Sequence, residues 1–237
     1  MAQRLLEGDT ALVTGAAQGI GQAIATAITE EGARVLASDL SDCDLSQPGG
    51  ADRLAQTAIR EMGRVSIFVH AACPRRDEKD TALAVAEPQW REMLEVNLNA
   101  GFLIAQALGR HMREAGIRGR ILFLTSLHAD SPRNLPHYSA AKAGQTMLMK
   151  EFARALGPHG IRVNAMVPGA VPGGGFRISP ATANLESRIP LGRFGKPEDV
   201  AAMAVAVLSE RFGRYVTGAS IVVDGGLALY NWIDAAS

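Results

Sequence analysis

Cysteine is scarce: the chain has two, Cys43 and Cys73, and no C-x-x-C pair. That excludes a disulfide framework and a structural zinc site, and fits a reduced, cytoplasmic protein. No apolar run reaches the ~18 residues that read as a membrane span. Met1 to Asp9 lacks the apolar segment of a signal peptide. Neither sign of charge is in excess: Lys plus Arg and Asp plus Glu are 24 each. There is thus no electrostatic case for a nucleic-acid or anionic-membrane partner. The five histidines (His70, His111, His128, His137, His159) lack metal-ligand spacing, so no metal is expected. Internal repeats and low-complexity linkers are also missing. What remains is 237 residues, 47% hydrophobic and 20% charged, enough for one α/β catalytic domain over residues 1–237 with a substantial core.

What is present begins with Ala11-Leu12-Val13-Thr14-Gly15-Ala16-Ala17-Gln18-Gly19-Ile20-Gly21. An apolar run stops at Thr14, a turn with glycines at 15, 19 and 21 follows, and helical periodicity starts at Ile20. Such a turn lets the backbone approach a phosphate and aims the free N–H groups of the next helix at it. Thr10 to Val13 reads as a buried strand and Ile20 to Glu31 as a helix closed by Gly32. Arg34 to Ser38 is a second strand ending in Asp39, 18 residues past Gly21. A carboxylate at that distance takes the adenosine ribose hydroxyls of NAD and repels the 2′-phosphate of NADP.

Only 25 residues, Leu40 to Arg64, precede the next apolar run. Ala51 to Met62 takes one helix, and Pro48-Gly49-Gly50 is a turn. Leu40 to Cys43 cannot supply the crossover of about a dozen residues that a parallel strand needs. A helix and a full edge strand are therefore expected to be missing. Asp44-Leu45 would then cross the top of the sheet beside Asp39, and Arg34–Ser38 would be a sheet edge. Ser66–Ala71 and Ile121–Thr125 read as buried strands. One long helix is expected from Pro88 to about Glu114, with Trp90, Leu94, Leu98, Phe102 and Ala105 on its inner stripe. Leu127–Pro136 reads as a loop, His137–Leu156 as a helix, and Arg162–Val167 as a strand running into Pro168-Gly169. Ala170–Arg193 reads as a substrate lid. A helix from Pro197 to about Ser209 and a strand at Ser220–Val223 precede the Leu227–Ser237 tail. This alternation predicts a three-layer, doubly wound parallel sheet. Thr14, Asp39, Ala71, Ser126 and Val167 should line the rim at its carboxyl ends.

Tyr138 and Lys142 are four apart and share a helix face. An ammonium beside a phenol, with the positive charge of an oxidised nicotinamide, would draw the tyrosine down from its usual ~10 towards neutrality. Ser126 at a strand end can bind a carbonyl or hydroxyl oxygen. Asn97 could hold a water against Lys142. The set suits hydride transfer at a carbon whose oxygen exchanges a proton.

Together these residues make the chain resemble the short-chain dehydrogenase/reductase family from about Glu7 to Gly226, a Rossmann-like α/β fold. Thr14–Gly21 resembles the family's cofactor turn, Val96-Asn97-Leu98 its active-site Asn, and Ser126 with Tyr138-Ser139-Ala140-Ala141-Lys142 its Ser and Tyr-x-x-x-Lys. Asn164 to Gly169 resembles the segment packed on the nicotinamide. The resemblance implies Tyr138 as general acid/base and Lys142 as ribose binder and phenolate stabiliser. It further implies Ser126 as the substrate-oxygen anchor, Asn97 as keeper of a relay water, and a homotetramer. Its expected cofactor contacts are Gly15, Gln18, Gly19, Ile20 and Gly21 at the turn, and Asp39, Asp44 and Leu45 after the second strand. The remainder are Ala71 and Ala72, with Pro168, Gly169 and Val171. NAD is the expected cofactor over NADP, since Gln18 stands where NADP-preferring members carry Arg or Lys. The expected substrate is a secondary alcohol or ketone, a sugar or polyol first. The alternatives are a 3-oxoacyl-thioester (acyl-carrier-protein) reductase and a non-enzymatic dinucleotide-binding protein.

The departures from the family pattern are local. His70-Ala71-Ala72-Cys73 replaces N-N-A-G, the Ser-to-Tyr interval is one residue short, and Gly173 replaces a carboxamide-binding threonine. Arg75-Arg76 reads as a solvated pair, with an anionic-substrate contact as its alternative, and His128 as an ordinary loop residue, with a substrate contact as its alternative. Met147 and Met149 read as packing residues, and Tyr230-Asn231-Trp232 as exposed tail aromatics that either cap the site or a subunit contact or pack within the tail.

Overall fold

The computed structural model describes residues 4–173, 176, 178 and 180–229. Six parallel strands are found among them: β1 (Thr10–Thr14), β2 (Arg34–Ser38), β3 (Ile67–His70), β4 (Arg120–Leu124), β5 (Arg162–Pro168) and β6 (Ser220–Val223). Their order is β2-β1-β3-β4-β5-β6. The chain moves outward from β1 to β2, then returns to place β3 on the other side of β1. The crevice for a ligand in such a sheet lies where the order reverses, above β1 and β3.

Alternation along each strand builds two cores. In β1, Ala11 and Val13 point to one face and Leu12 to the other. The first face is covered by α1 (Gly19–Glu30) through Ile24 and Ile28, and by α6 (Pro197–Leu208) through Val200 and Ala204. The second is covered by α2 (Gly50–Met62), α4 (Ala100–Glu114) and α5 (Pro136–Leu156) through Leu54, Ile104, Leu108 and Met149. β3, β4 and β5 are buried along their whole length, as expected for strands sandwiched between helices. This is the three-layer parallel architecture expected from the alternating pattern.

The shortened segment behaves as its length demands. Among the described residues no strand lies between Ser38 and Gly50. The Asp39 carbonyl accepts the N–H groups of Asp42 and Cys43 at 3.0 Å each, closing a turn where a crossover helix would otherwise begin. A second turn follows, in which the Asp44 carboxylate accepts Ser46 N–H at 2.9 Å and Ser46 Oγ–H at 2.7 Å. Gly49 then takes φ 75° at the start of α2. β2 is thus an edge strand, with Arg34 and Ala37 exposed along it.

Two expectations fail here for identifiable reasons. The long helix is interrupted: α3 (Glu87–Leu94) and α4 are joined by one wide turn of π-helix, Glu95–Asn99. A π turn takes more residues than an α turn and rotates whatever follows it. The buried stripe is therefore Met93, Asn97, Ala100, Ile104, Leu108 and Met112, not the predicted one. Of the predicted set only Ala105 is fully buried, and Trp90 is 36% exposed. Met147 is likewise on the surface, at 56% exposure, whereas Met149 is core. The Leu127–Pro136 loop opens with a single 3₁₀ turn, Leu127–Ala129. Within the expected lid, a 3₁₀ helix spans Pro180–Arg188, and Phe176 and Leu185 pack with Leu127, Val167 and Ile189. Tyr230-Asn231-Trp232 lie outside the described residues. Among the described residues no helix is long and apolar enough to cross a membrane.

Candidate active site

The glycine turn is built for close approach. Gly15 has φ +68°, and a Cβ there would stand 2.6 Å from Ala72 N and 2.7 Å from the Ala71 carbonyl carbon. Gly19 also has positive φ, at 60°. At Gly21 a Cβ would fall on the Gly15 carbonyl oxygen. Only glycine fits where the β1–α1 turn crosses the end of β3. The start of α1 is left open: Gln18 makes no side-chain cap and no acid lies in the first turn. Its free N–H groups and positive dipole end therefore remain available to an anion. These features fit a dinucleotide pyrophosphate, and the residues that would hold it are those of the turn.

One cavity runs from this turn along the carboxyl ends of the strands. Gly15, Gln18, Ile20 and Gly21 line one end, beside Asp39, Asp44 and Leu45. The Asp39 carboxylate accepts the N–H groups of Ala17 and Leu40, both at 2.8 Å, one on each oxygen. A carboxylate has about four acceptor sites, so capacity remains for two ribose hydroxyls. Ala71 and Ala72 form the middle of the wall, and Pro168, Gly169 and Val171 the far side. Gly169 is pinned by the β6 end, since a Cβ there would stand 2.6 Å from Asp224 Cβ. Ser126, Tyr138 and Lys142 line the opposite end. Of the residues expected at the site, Gly19 and Asn97 do not line the cavity, nor does Val167, which was expected on the same rim.

Asn97 is fully buried in the π turn. Its side-chain amide donates to the Met93 carbonyl at 3.0 Å and reaches Cys73 Sγ at 3.6 Å, while Oδ1 finds no partner. Between the Asn97 carbonyl and Lys142 stands a side chain that the residue pattern did not single out, Gln145. Gln145 lies one turn beyond Lys142, fully buried. Its Oε1 accepts from Lys142 Nζ at 3.0 Å, and its Nε2 donates to the Asn97 carbonyl at 2.7 Å. Lys142 Nζ also donates to the Leu124 carbonyl at 2.7 Å. Two of its three donors are thus fixed on the protein.

The Asn97 carbonyl has a second partner, His70 Nε2, at 3.1 Å. A carbonyl only accepts, so Nε2 carries the proton and Nδ1 accepts from the Thr14 hydroxyl at 3.0 Å. The imidazole is neutral: burial, then the Lys142 ammonium, holds it down to about 4. The β1–β3 register sets Thr14 opposite His70, so one polar chain links the glycine turn to Lys142.

Tyr138 is buried at the cavity wall beside Ser126 and Arg76. Burial raises the phenol above its ordinary value, and a negative charge on Cys73 would raise it further. The Arg76 charge and the polar groups of Ser126 and Arg76 oppose this. Lys142 Nζ stands over the ring, 5.5 Å from its centroid. Lys142 is itself pushed down to about 8, chiefly by burial, with Cys73 raising and Arg76 lowering it. Two more surprises flank the phenol. The Arg76 guanidinium carbon lies 4.4 Å from the Tyr138 ring centroid, so Arg76 is not the solvated residue expected, though Arg75 is exposed. His128 packs edge-on against the same ring, with centroids 5.1 Å apart.

A parallel sheet wound on both sides, a glycine turn open to a dinucleotide, and a Tyr-Lys-Ser cluster on one cavity define a class: Rossmann-fold oxidoreductases that use a nicotinamide. Residues 38–228 match the family described as enoyl-(acyl carrier protein) reductase, and residues 9–42 match short chain dehydrogenase. Glucose 1-dehydrogenase 2 of Bacillus subtilis is 34% identical, covering 95% of this chain and 96% of its own. A (3R)-3-hydroxyacyl-CoA dehydrogenase of Canis lupus familiaris is 34% identical over 94% of this chain and 97% of its own. A solved putative NAD(P)-dependent gluconate 5-dehydrogenase from Beutenbergia cavernae, with bound NADP, superposes with TM-score 0.86 at 31% identity, covering 97% of this chain and 100% of that one. The chain belongs to the short-chain dehydrogenase/reductase family, whose members act on CH–OH groups with nicotinamide cofactors.

Proposed function

We propose that this protein interconverts a secondary alcohol and its ketone, using NAD in preference to NADP, with sugars, polyols and their acids as the first candidate substrates. The observation that carries this is the meeting of Ser126, Tyr138 and Lys142 on one cavity with the glycine turn. The cofactor, when bound, supplies the hydride acceptor or donor. Ser126 holds the substrate oxygen. Tyr138 takes the hydroxyl proton in oxidation and returns it in reduction. Lys142, with two donors fixed on Leu124 and Gln145, keeps its third for a ribose hydroxyl and favours the phenolate. Asn97 supports Lys142 through its carbonyl and Gln145.

NAD is favoured because the Asp39 carboxylate lines the cavity beside the glycine turn, where the adenosine ribose would lie and a 2′-phosphate would meet like charge. The glucose dehydrogenase and gluconate dehydrogenase relatives support a sugar-type substrate. The hydroxyacyl-CoA dehydrogenase relative keeps a 3-oxoacyl thioester as the second reading. Residues 170–193 act as the substrate lid, and the family resemblance gives a homotetramer.

The test is a panel of sugars, polyols, sugar acids and 3-oxo esters, followed by reduced-nicotinamide absorbance with each cofactor. Tyr138→Phe should lose about 10²-fold or more in turnover, the usual worth of a positioned acid/base, while NADH still binds. Turnover that survives the substitution would refute the assignment.

A further inference from the structure

The substrate end of the cavity carries charge that the chemistry above does not use. Arg76, on the loop after β3, and Arg133, on the loop before α5, both line it. Arg76 covers the face of Tyr138, yet its Nε is buried without a hydrogen-bond partner. The His128 Nδ1 beside the same ring is also buried and unpartnered. Burial, then the charges of Arg76 and Arg133, keeps this imidazole neutral, holding it down to about 4. Both guanidinium groups are therefore near it.

The nearby acids do not answer this charge. Asp80 faces His137, 3.6 Å away. Glu92 lines the cavity, but among the described residues no carboxylate forms an ion pair with Arg76 or Arg133. A solvated pair of arginines would not leave a dehydrated Nε against the reactive phenol, because a buried donor without an acceptor is destabilising. A ligand oxygen removes that cost. Guanidinium groups from two loops offer planar donor forks that match a carboxylate or phosphate.

We propose that the substrate is a hydroxy or keto compound bearing an oxyanion, a carboxylate or a phosphate monoester, which Arg76 and Arg133 hold while Ser126 and Tyr138 engage its alcohol or ketone oxygen. This rests on the alcohol-dehydrogenase reading above. The guanidinium of Arg76 moves from the ring face onto the anion as substrate enters, and His128 Nδ1 accepts from a substrate hydroxyl.

The proposal can be read from binding alone, by titrating the protein–NADH complex and following NADH fluorescence. The probes are two matched pairs: 3-hydroxybutyrate against its methyl ester, and glycerol 3-phosphate against glycerol. The charged member of at least one pair should bind about tenfold or more tightly than its neutral partner, the pair identifying carboxylate or phosphate. Arg76→Gln and Arg133→Gln should each abolish that preference and leave NADH affinity unchanged. Charged members that bind no better than neutral ones in both pairs, or a preference that survives both substitutions, would overturn it. Failure of the wild-type protein to bind NADH would instead strike the dinucleotide reading.

Discussion

Lys142 meets opposing demands. Burial favours its neutral form, and the acceptors Leu124 and Gln145 favour its charged form. Gln145 is the adjustable one. Gln145→Leu keeps the bulk but removes one acceptor from the ammonium and one donor from the Asn97 carbonyl. Lys142 should then titrate below about 8, and the alkaline limb of kcat should move to lower pH with a fall in kcat. Gln145→Glu sets a carboxylate beside the ammonium and should move that limb the other way. A purely structural role would lower stability in both variants without opposite pH shifts, so pH–rate profiles distinguish the two. The residues legible beforehand, Tyr138, Lys142 and Ser126, are those whose relation is local or fixed by a strand end. Gln145 and His70 were not legible as site residues, and Arg76 only as the lesser of two readings. Gln145 meets Asn97 48 positions away, and His70 meets Thr14 56 positions away. No periodicity encodes such pairs. The only available signal for Gln145 was an amide on the buried face of α5, one turn past a lysine.

Elements here are tied by side chains at their ends as well as by packed faces. The C-terminus of α6 is closed by two buried arginines from strands. Arg162 donates to the carbonyls of Val207 at 2.8 Å and Leu208 at 3.2 Å, and Arg120 Nε donates to Leu208 at 2.8 Å. These cations satisfy the free carbonyls and oppose the negative dipole end. Arg120 also forms a two-pronged pair with Asp9 at 3.0 and 2.6 Å, fastening β4 to the approach to β1. Arg162→Met should destabilise the fold by about 2–3 kcal/mol, since several buried carbonyls lose charged donors. The exposed Arg193–Asp199 pair, 2.6 Å apart, should matter little when cut by Arg193→Gln, because solvent screens it. Urea midpoints of the two variants test the contrast, and similar losses would contradict it. Most element bounds were readable from apolar periodicity and glycine stops. The π turn at Glu95–Asn99 was not, because it shifts the phase of a helix that the sequence pattern continues without a break.

At the scale of the whole molecule, the missing edge strand was readable from chain length, since Leu40–Cys43 cannot cross a sheet. The polar chain through the middle was not, and it makes stability depend on pH. His70 sits between Thr14 and Asn97 with no exposed surface and is neutral in the fold, its proton binding held down to about 4 against an ordinary 6.5. Because the folded value is the lower one, the unfolded chain takes up the proton first as pH falls. Stability conferred by the neutral imidazole is therefore complete above about 6.5 and lost progressively towards about 4. A shift of that size corresponds to roughly 3 kcal/mol across the window. His128, held down to about 4 mainly by burial, acts in the same direction. The unfolding midpoint in urea should thus drop steeply between pH 7 and pH 5, before most carboxylates protonate. His70→Asn removes the titrating ring but keeps a donor and an acceptor, so its midpoint should fall less over that range even if it starts lower. Parallel curves for the two proteins would mean that His70 takes up its proton without opening the sheet. The link from the glycine turn to Lys142 would then bear charge that the present geometry does not accommodate.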